Sequence, residues 1–450
     1  MDNLHMETFL FFVPSRLIWD NWQKFNGEQT DPGDSTDFMI PQITTPVPGY
    51  DEETLYDYMG VPTQEKIENI NALHFRAYNL IWNEWFRDEN LQDSITVNTD
   101  DGPDTDTDYV IKKRGKRHDY FTSCLPWPQK GDAVSLPLGT SAPLTGIGNP
   151  SQATAGPDDI YETDGTAAVT YTTYMNSNLV AEEDPNNAGF PNIRADLSNA
   201  TASTVNQLRE AFQIQKLYER DARGGTRYTE IVKAHFGVTS PDARLQRPEY
   251  LGGGSSMVNI LPVEQTSETG TTPQGNLSAY GTVHLVNHGF NKSFTEHGVI
   301  IGMICARADL NYQQGLNRMW SRQTRFDYYW PALSHIGEQA VISKEIYATG
   351  VAADQDVFGY QERYAEYRYK PSQITGQFRS NYPTPLDSWH LAQNFTTRPV
   401  LDDTFIEENP PVDRVIAVPS EPHFIFDCYF DLKCARPMPT YSVPGLIDHF

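Results

Sequence analysis

The clearest pattern in the chain is a set of short apolar runs cut by proline and glycine. Phe9 to Val13 is one such run, stopped at Pro14, and predicts a buried strand entering a loop across Thr8 to Arg16. Val299 to Cys305 is a second compact run. From Phe424 to Leu432 the order Phe424, Phe426, Cys428, Phe430, Leu432 alternates with Asp427, Tyr429 and Asp431, the period of two that marks a half-buried core strand. Two stretches follow a helical period instead. From Thr63 to Trp85, Ile67, Ile70, Leu73, Ala77, Leu80, Ile81 and Trp85 recur every three or four residues. After Thr204 and Gln207, in capping-box spacing, Val205, Leu208, Phe212, Leu217 and Tyr218 lie on or near one face, and Gly224-Gly225 ends the helix.

Between Ser141 and Thr204 periodicity fades. That stretch is Ala, Gly, Ser, Thr, Asn and Pro with eight acidic residues and Arg194 as its one base, which predicts a surface insertion. Many short strands, proline-rich turns and long connections predict a mainly β fold of two packed antiparallel sheets. A jelly roll is the usual way to protect such sheet edges. No internal repeat points to a propeller or solenoid.

Composition narrows the function. The 450 residues are 38% hydrophobic and 12% aromatic with 31 Gly and 31 Pro, as in a folded, turn-rich protein. Acidic residues exceed Lys plus Arg by 59 to 34, so any nucleic-acid contact must be local. The sharpest local feature is an acidic loop, Asp93, Asp100, Asp101, Asp104, Asp106 and Asp108, followed at once by Lys112, Lys113, Arg114, Lys116, Arg117 and His118. Lys112, Lys113, Arg114, Lys116 and Arg117 are candidates for genome phosphates, the alternative being a solvated patch balancing the loop before it. The N-terminus lacks the basic start of a secretory signal, and no apolar run is long enough to span a membrane, which predicts synthesis in the cytoplasm without membrane insertion.

Other motifs favour bland readings. Cys124, Cys305, Cys428 and Cys434 are scattered, which predicts reduced, mostly buried thiols. His284, His288 and His297 fit no metal-ligand spacing, and the eight tryptophans are expected to be packing anchors. Leu251-Gly252-Gly253-Gly254-Ser255-Ser256 lacks the lysine of a phosphate loop and is expected to be a flexible turn at a subunit contact. With no nucleophile motif, no catalytic, metal or cofactor site is assigned.

Long strings then carry a resemblance. They are Phe11 to Trp22 (FFVPSRLIWDNW), Arg114 to Ser123 (RGKRHDYFTS), Leu125 to Asp132 (LPWPQKGD), and Phe212 to Lys216 continuing through Glu219 to Tyr228. His235 to Val238, Pro241 to Gly253 (PDARLQRPEYLGG) and Tyr360 to Ser372 (YQERYAEYRYKPS) follow. In order and spacing these strings resemble the major capsid proteins of gokushoviruses, a subfamily of the Microviridae. The resemblance implies one capsid domain over residues 1–450, an eight-stranded antiparallel jelly roll with long insertions and a few helices. It implies self-assembly on a T=1 icosahedral lattice around a circular single-stranded DNA genome. It further implies that residues 141–204 form a variable protrusion at the threefold axes that carries host attachment. Implied partners are further copies of the chain, the genome, an internal scaffolding protein, a DNA pilot protein and a bacterial surface receptor. Relatives carry a segment before the point matching Met1, so the chain is expected to begin at an internal methionine. The alternative to a capsid subunit is a carbohydrate-binding or carbohydrate-cleaving jelly roll.

Overall fold

A computed structural model describes residues 3–134, 205–271, 273–275 and 278–436, together with the strand backbones 144–145, 157–163, 168–174 and 194–195. The protein is mainly β with few helices. In chain order the strands are β1 (Leu4–Pro14), β2 (Gln42–Ile43), β3 (Ile70–Asn71), β4 (Leu144–Thr145), β5 (Pro157–Thr163), β6 (Ala168–Tyr174) and β7 (Arg194–Ala195). They continue with β8 (Glu249–Met257), β9 (Asn259–Val263), β10 (Ser278–Thr282), β11 (Gly298–Ala308), β12 (Glu338–Ile342) and β13 (Val357–Glu362). Described pairings between these strands are antiparallel, and the one sheet of three runs β11-β1-β8.

The strands expected at Thr8 to Arg16 and at Val299 to Cys305 are partners. Phe9 faces Met303, Phe11 faces Ile301 and Val13 faces Val299. Because side chains alternate across a strand, these residues share one face. The helix Leu73–Ile81 covers that face with Leu73, Ala77 and Ile81, and Trp19 is fully buried beside them. Burying side chains of this size stabilises the fold by about 1.5–3 kcal/mol each. A second cluster gathers Tyr120, Phe121, Val341, Ile346, Phe358 and Phe405 around the β12–β13 hairpin, and a third gathers Ile43, Tyr50, Tyr56, Phe75 and Tyr109.

Glycine explains the third strand of the main sheet. A Cβ on Gly253 would lie 2.0 Å from the Thr8 carbonyl oxygen, and one on Gly254 would lie 2.5 Å from the His288 ring. The run Gly252 to Gly254 is therefore part of β8, where close backbone approach demands no side chain. The flexible turn expected there is corrected.

Two further expectations change. The helix over 63–85 begins only at Leu73: Gln64 and Asn69 adopt left-handed backbone, Ile70 and Asn71 pair with β2, and the Asn71 side chain accepts a 2.9 Å bond from the Leu73 amide. Residues 82–86 form a π turn rather than more α-helix. The alternation from Phe424 to Leu432 is not a paired strand: the backbone finds no ladder partner among the described residues, and Phe424, Ile425, Phe426, Tyr429, Phe430 and Leu432 are exposed. A strand needs a neighbour for its N–H and C=O groups as well as an alternating pattern.

The helix expected after Thr204 is present over Val205–Gly224, and Gly225 takes a φ of +107° just past its end. Thr204 itself lies outside the described residues. So does most of the 141–204 insertion, apart from the antiparallel backbone pairs β4–β7 and β5–β6.

Candidate nucleic-acid and subunit interfaces

The basic cluster is divided by its own backbone pairing. Gly115 bridges antiparallel to Glu407, with the Lys116 amide on the Ile406 carbonyl at 2.7 Å and the Glu408 amide on the Arg114 carbonyl at 2.8 Å. This pairing turns two cations inward. Arg114 donates to Glu7 at 2.9 Å and to the Cys305 sulfur at 3.1 Å, and its guanidinium stands 5.3 and 5.4 Å from the Phe9 and Phe86 rings. Lys116 is buried; its Nζ donates to the Phe405 carbonyl and lies 4.7 Å from the Phe405 ring. Burial pulls the Lys116 pKa down, with Glu408 nearby pulling the other way. Lys112, Lys113 and Arg117 keep exposed side chains, Lys113 touching Asn409 at 3.3 Å and Arg117 lining a hollow with Asn3, Asp119 and Asp309.

Two acids of the preceding loop are engaged away from this cluster. Asp104 is buried and accepts from Arg76 Nε at 2.8 Å, Asp101 accepts from Trp19 Nε1 at 2.7 Å and from Asn21, and Arg76 also holds the Ile18 and Asp100 carbonyls. Asp100, Asp101 and Asp104 fasten the N-terminal strand region to the 73–81 helix.

A different cationic surface emerges between β11 and β12. From Arg318 to Leu333 the chain makes three short 3-10 turns. Tyr364 and Tyr367 clamp them: the Trp330 amide donates to Tyr364 Oη at 3.3 Å, the Tyr329 amide to Tyr367 Oη at 3.1 Å, and Tyr364 Oη donates to the Tyr328 carbonyl. Arg318 is anchored inward on the Ala340 carbonyl and Glu345, and Arg322 lies 3.6 Å from Glu366. Outward stand Trp320, Phe326, Tyr328, Tyr329 and Trp330, with Trp320 69% exposed. The exposed Arg325 has its guanidinium 5.3 Å from both the Phe326 and Trp330 rings. Reading tryptophans as packing anchors missed this ribbon. Its signal was present in the interleaving of Arg318, Arg322 and Arg325 with five aromatics around a single acid, Asp327.

Cys124 is buried, Cys305 half-buried, and Cys428 and Cys434 are exposed, so the thiols are not mostly buried. His288 bonds Thr8 Oγ1 at 2.7 Å and His297 packs on Trp22. No group of metal-ligating side chains occurs among the described residues, and no helix there is long and apolar enough to cross a membrane.

The last feature is apolar surface left open. On the 205–224 helix, Leu208, Phe212, Ile214 and Leu217 are exposed, Phe212 at 61%, and Tyr228 and Phe236 on the next helix are exposed as well. Leu208 with Phe212 on one side of the helix and Ile214 with Leu217 nearly opposite leave apolar surface uncovered, as contact sites on other macromolecules do. The exposed Phe424–Leu432 segment adds further open apolar surface to this mainly β protein. The chain belongs to the capsid protein (F protein) family, whose model matches residues 1–446. It is 51% identical over 462 residues to capsid protein VP1 of Bdellovibrio phage phiMH2K, covering 100% of this chain and 87% of the relative. It is 43% identical to capsid protein VP1 of Chlamydia phage 1, over 99% of this chain and 87% of the relative, and 38% identical to that of Spiroplasma virus 4, over 99% and 86%. The resemblance to gokushovirus capsid proteins holds, and the chain is a structural component of a bacteriophage virion.

Proposed function

We propose that many copies of this chain close into a T=1 icosahedral shell around a circular single-stranded DNA genome, assembled in the bacterial cytoplasm. The observation that carries this reading is the apolar surface on the 205–224 helix, left open by a chain whose family is that of capsid proteins. Closed shells need the same patches repeated around symmetry axes, each contact weak enough to form reversibly.

In this reading the subunit is an eight-stranded jelly roll, to which β11, β1 and β8 contribute. Support comes from the second face of that sheet, where Ile300 and Ile304 remain exposed and open to a facing sheet. Residues 141–204 form the threefold protrusion and engage a bacterial surface receptor. Lys112, Lys113 and Arg117 face genome phosphates, with Arg114 and Lys116 holding the segment in place. An internal scaffolding protein and a DNA pilot protein complete the assembly. Family membership leaves the carbohydrate reading without support and indicates a structural role rather than an enzymatic one.

The test is expression of the full chain with the genome and its companion phage proteins, followed by sedimentation and nuclease treatment. The expected result is one fast-sedimenting species that protects single-stranded circular DNA. Persistence of a slow, unassembled species overturns the reading.

A further inference from the structure

We propose that the ribbon from Arg318 to Trp330 is a single-stranded DNA platform, on which bases stack against exposed aromatic rings while Arg325 and Arg363 meet the phosphates. The proposal rests on the reading of the chain as a genome-enclosing subunit and names the surface that would hold the genome.

Charge comes first. The chain has 59 acids against 34 Lys plus Arg, yet residues 316–335 carry three arginines and one acid. That acid, Asp327, is held as a carboxylate by the Gln323 amide at 3.0 Å, the Thr324 amide at 2.7 Å and Thr324 Oγ1 at 3.0 Å, so its charge offsets one arginine and the local positive excess depends on Arg363 as well as Arg325. Arg318 and Arg322 are neutralised from beneath by Glu345 and Glu366. Arg325 is exposed and makes no ion pair among the described residues. Arg363 holds the Phe326 carbonyl at 3.2 Å and stands 5.0 Å from the Tyr364 ring, bringing a fourth guanidinium to the same surface.

Ring geometry comes second. Trp320, Phe326, Tyr328, Tyr329 and Trp330 are all exposed, while their backbone is fixed by 3-10 turns and by the Tyr364 and Tyr367 hydroxyls. Rings presented on a rigid backbone cost little entropy to use. Each nucleobase offers a π face, so aromatic stacking binds single strands without reading their sequence, and arginine adds cation–π attraction and phosphate pairing. A coat that must accept every part of one genome needs this tolerance. The Lys112 to Arg117 cluster offers phosphate contacts alone, and two of its members are spent inside the protein.

The test uses the unassembled full chain and a fluorescein-labelled oligothymidylate about 20 nucleotides long, followed by anisotropy across a salt series. Trp320→Ala and Trp330→Ala are each expected to weaken binding about tenfold at every salt concentration without changing the salt slope. Trp330→Phe is expected to recover most of the loss. Arg325→Gln is expected to weaken binding and flatten the slope by about 0.7. Electron microscopy of the same variants, co-expressed with the genome, keeps the two readings separate: wild-type particles with undiminished oligonucleotide binding by the variants overturn this proposal and leave the shell intact. Variants that bind DNA normally and lose particles overturn it too, assigning the ribbon to a contact between copies. A wild-type chain with no oligonucleotide affinity overturns it outright.

Discussion

At the scale of residues, the strongest constraints are polar groups placed where water cannot reach them. Arg76 is fully buried on the 73–81 helix and ties Asp104, the Ile18 carbonyl and the Asp100 carbonyl together, while Tyr109 also donates to Asp104. Removing one partner strands the other charge in the core, so Arg76→Met is expected to cost about 3–5 kcal/mol, measured by urea unfolding of the unassembled chain. Glu345 makes a pH prediction. Burial raises its pKa above the ordinary 4.5, with Arg318 opposing the rise. A carboxyl with a raised folded pKa binds more protons when folded, so its contribution to stability is full below the unfolded value and declines as pH rises through the folded one. The melting temperature of wild type minus that of Glu345→Gln is therefore expected to fall as pH climbs from about 4.5; a difference independent of pH contradicts the assignment. Little of this was legible in the sequence. Arg114 and Lys116 read as part of an exposed run because nothing nearby announces their pairing with residues 406–408, some 290 positions away.

At the scale of elements, local pattern succeeded where the element's partner lies on the face the pattern marks. Phe9 to Val13 is a continuous apolar run because β1 is covered near its end on both sides, Phe11 and Val13 by the 73–81 helix and Phe12 by Phe294, and the run is visible without knowing either cover. The 63–85 periodicity overran its helix because the left-handed Gln64 and Asn69, and the Asn71 cap, leave no trace in a count of apolar positions. Gly252 to Gly254 looked like a turn because the reason for those glycines, the Thr8 carbonyl and the His288 ring, comes from distant parts of the chain. The 205–224 helix was legible as a helix, but the exposure of its apolar residues was not. Phe212→Glu tests what that exposed surface is for. The substitution is expected to leave the melting temperature of the unassembled chain within a few degrees, being a surface change worth about 0.5 kcal/mol or less, and to abolish particle formation in sedimentation.

At the scale of the whole molecule, three properties coincide. The chain is mainly β, it leaves many large apolar side chains exposed, and it gathers arginines and exposed aromatic rings in one ribbon despite a formal charge of −25. A subunit that works alone gains nothing from such surfaces, whereas a shell subunit hides them against its copies and its cargo. The resemblance carried by strings such as those from Pro241 to Gly253 made the capsid family legible in the sequence; the surfaces proposed to join its copies became visible only once the elements were placed.

The most direct test is an electron cryomicroscopy reconstruction of particles purified from cells expressing the full chain with the phage genome and companion proteins. The account predicts a closed shell of identical subunits in which Phe212 and the Phe424 to Leu432 segment are buried and the Arg318 to Trp330 ribbon faces the interior. Subunits that remain separate, or a shell in which Phe212 and its neighbours still face solvent, would contradict it.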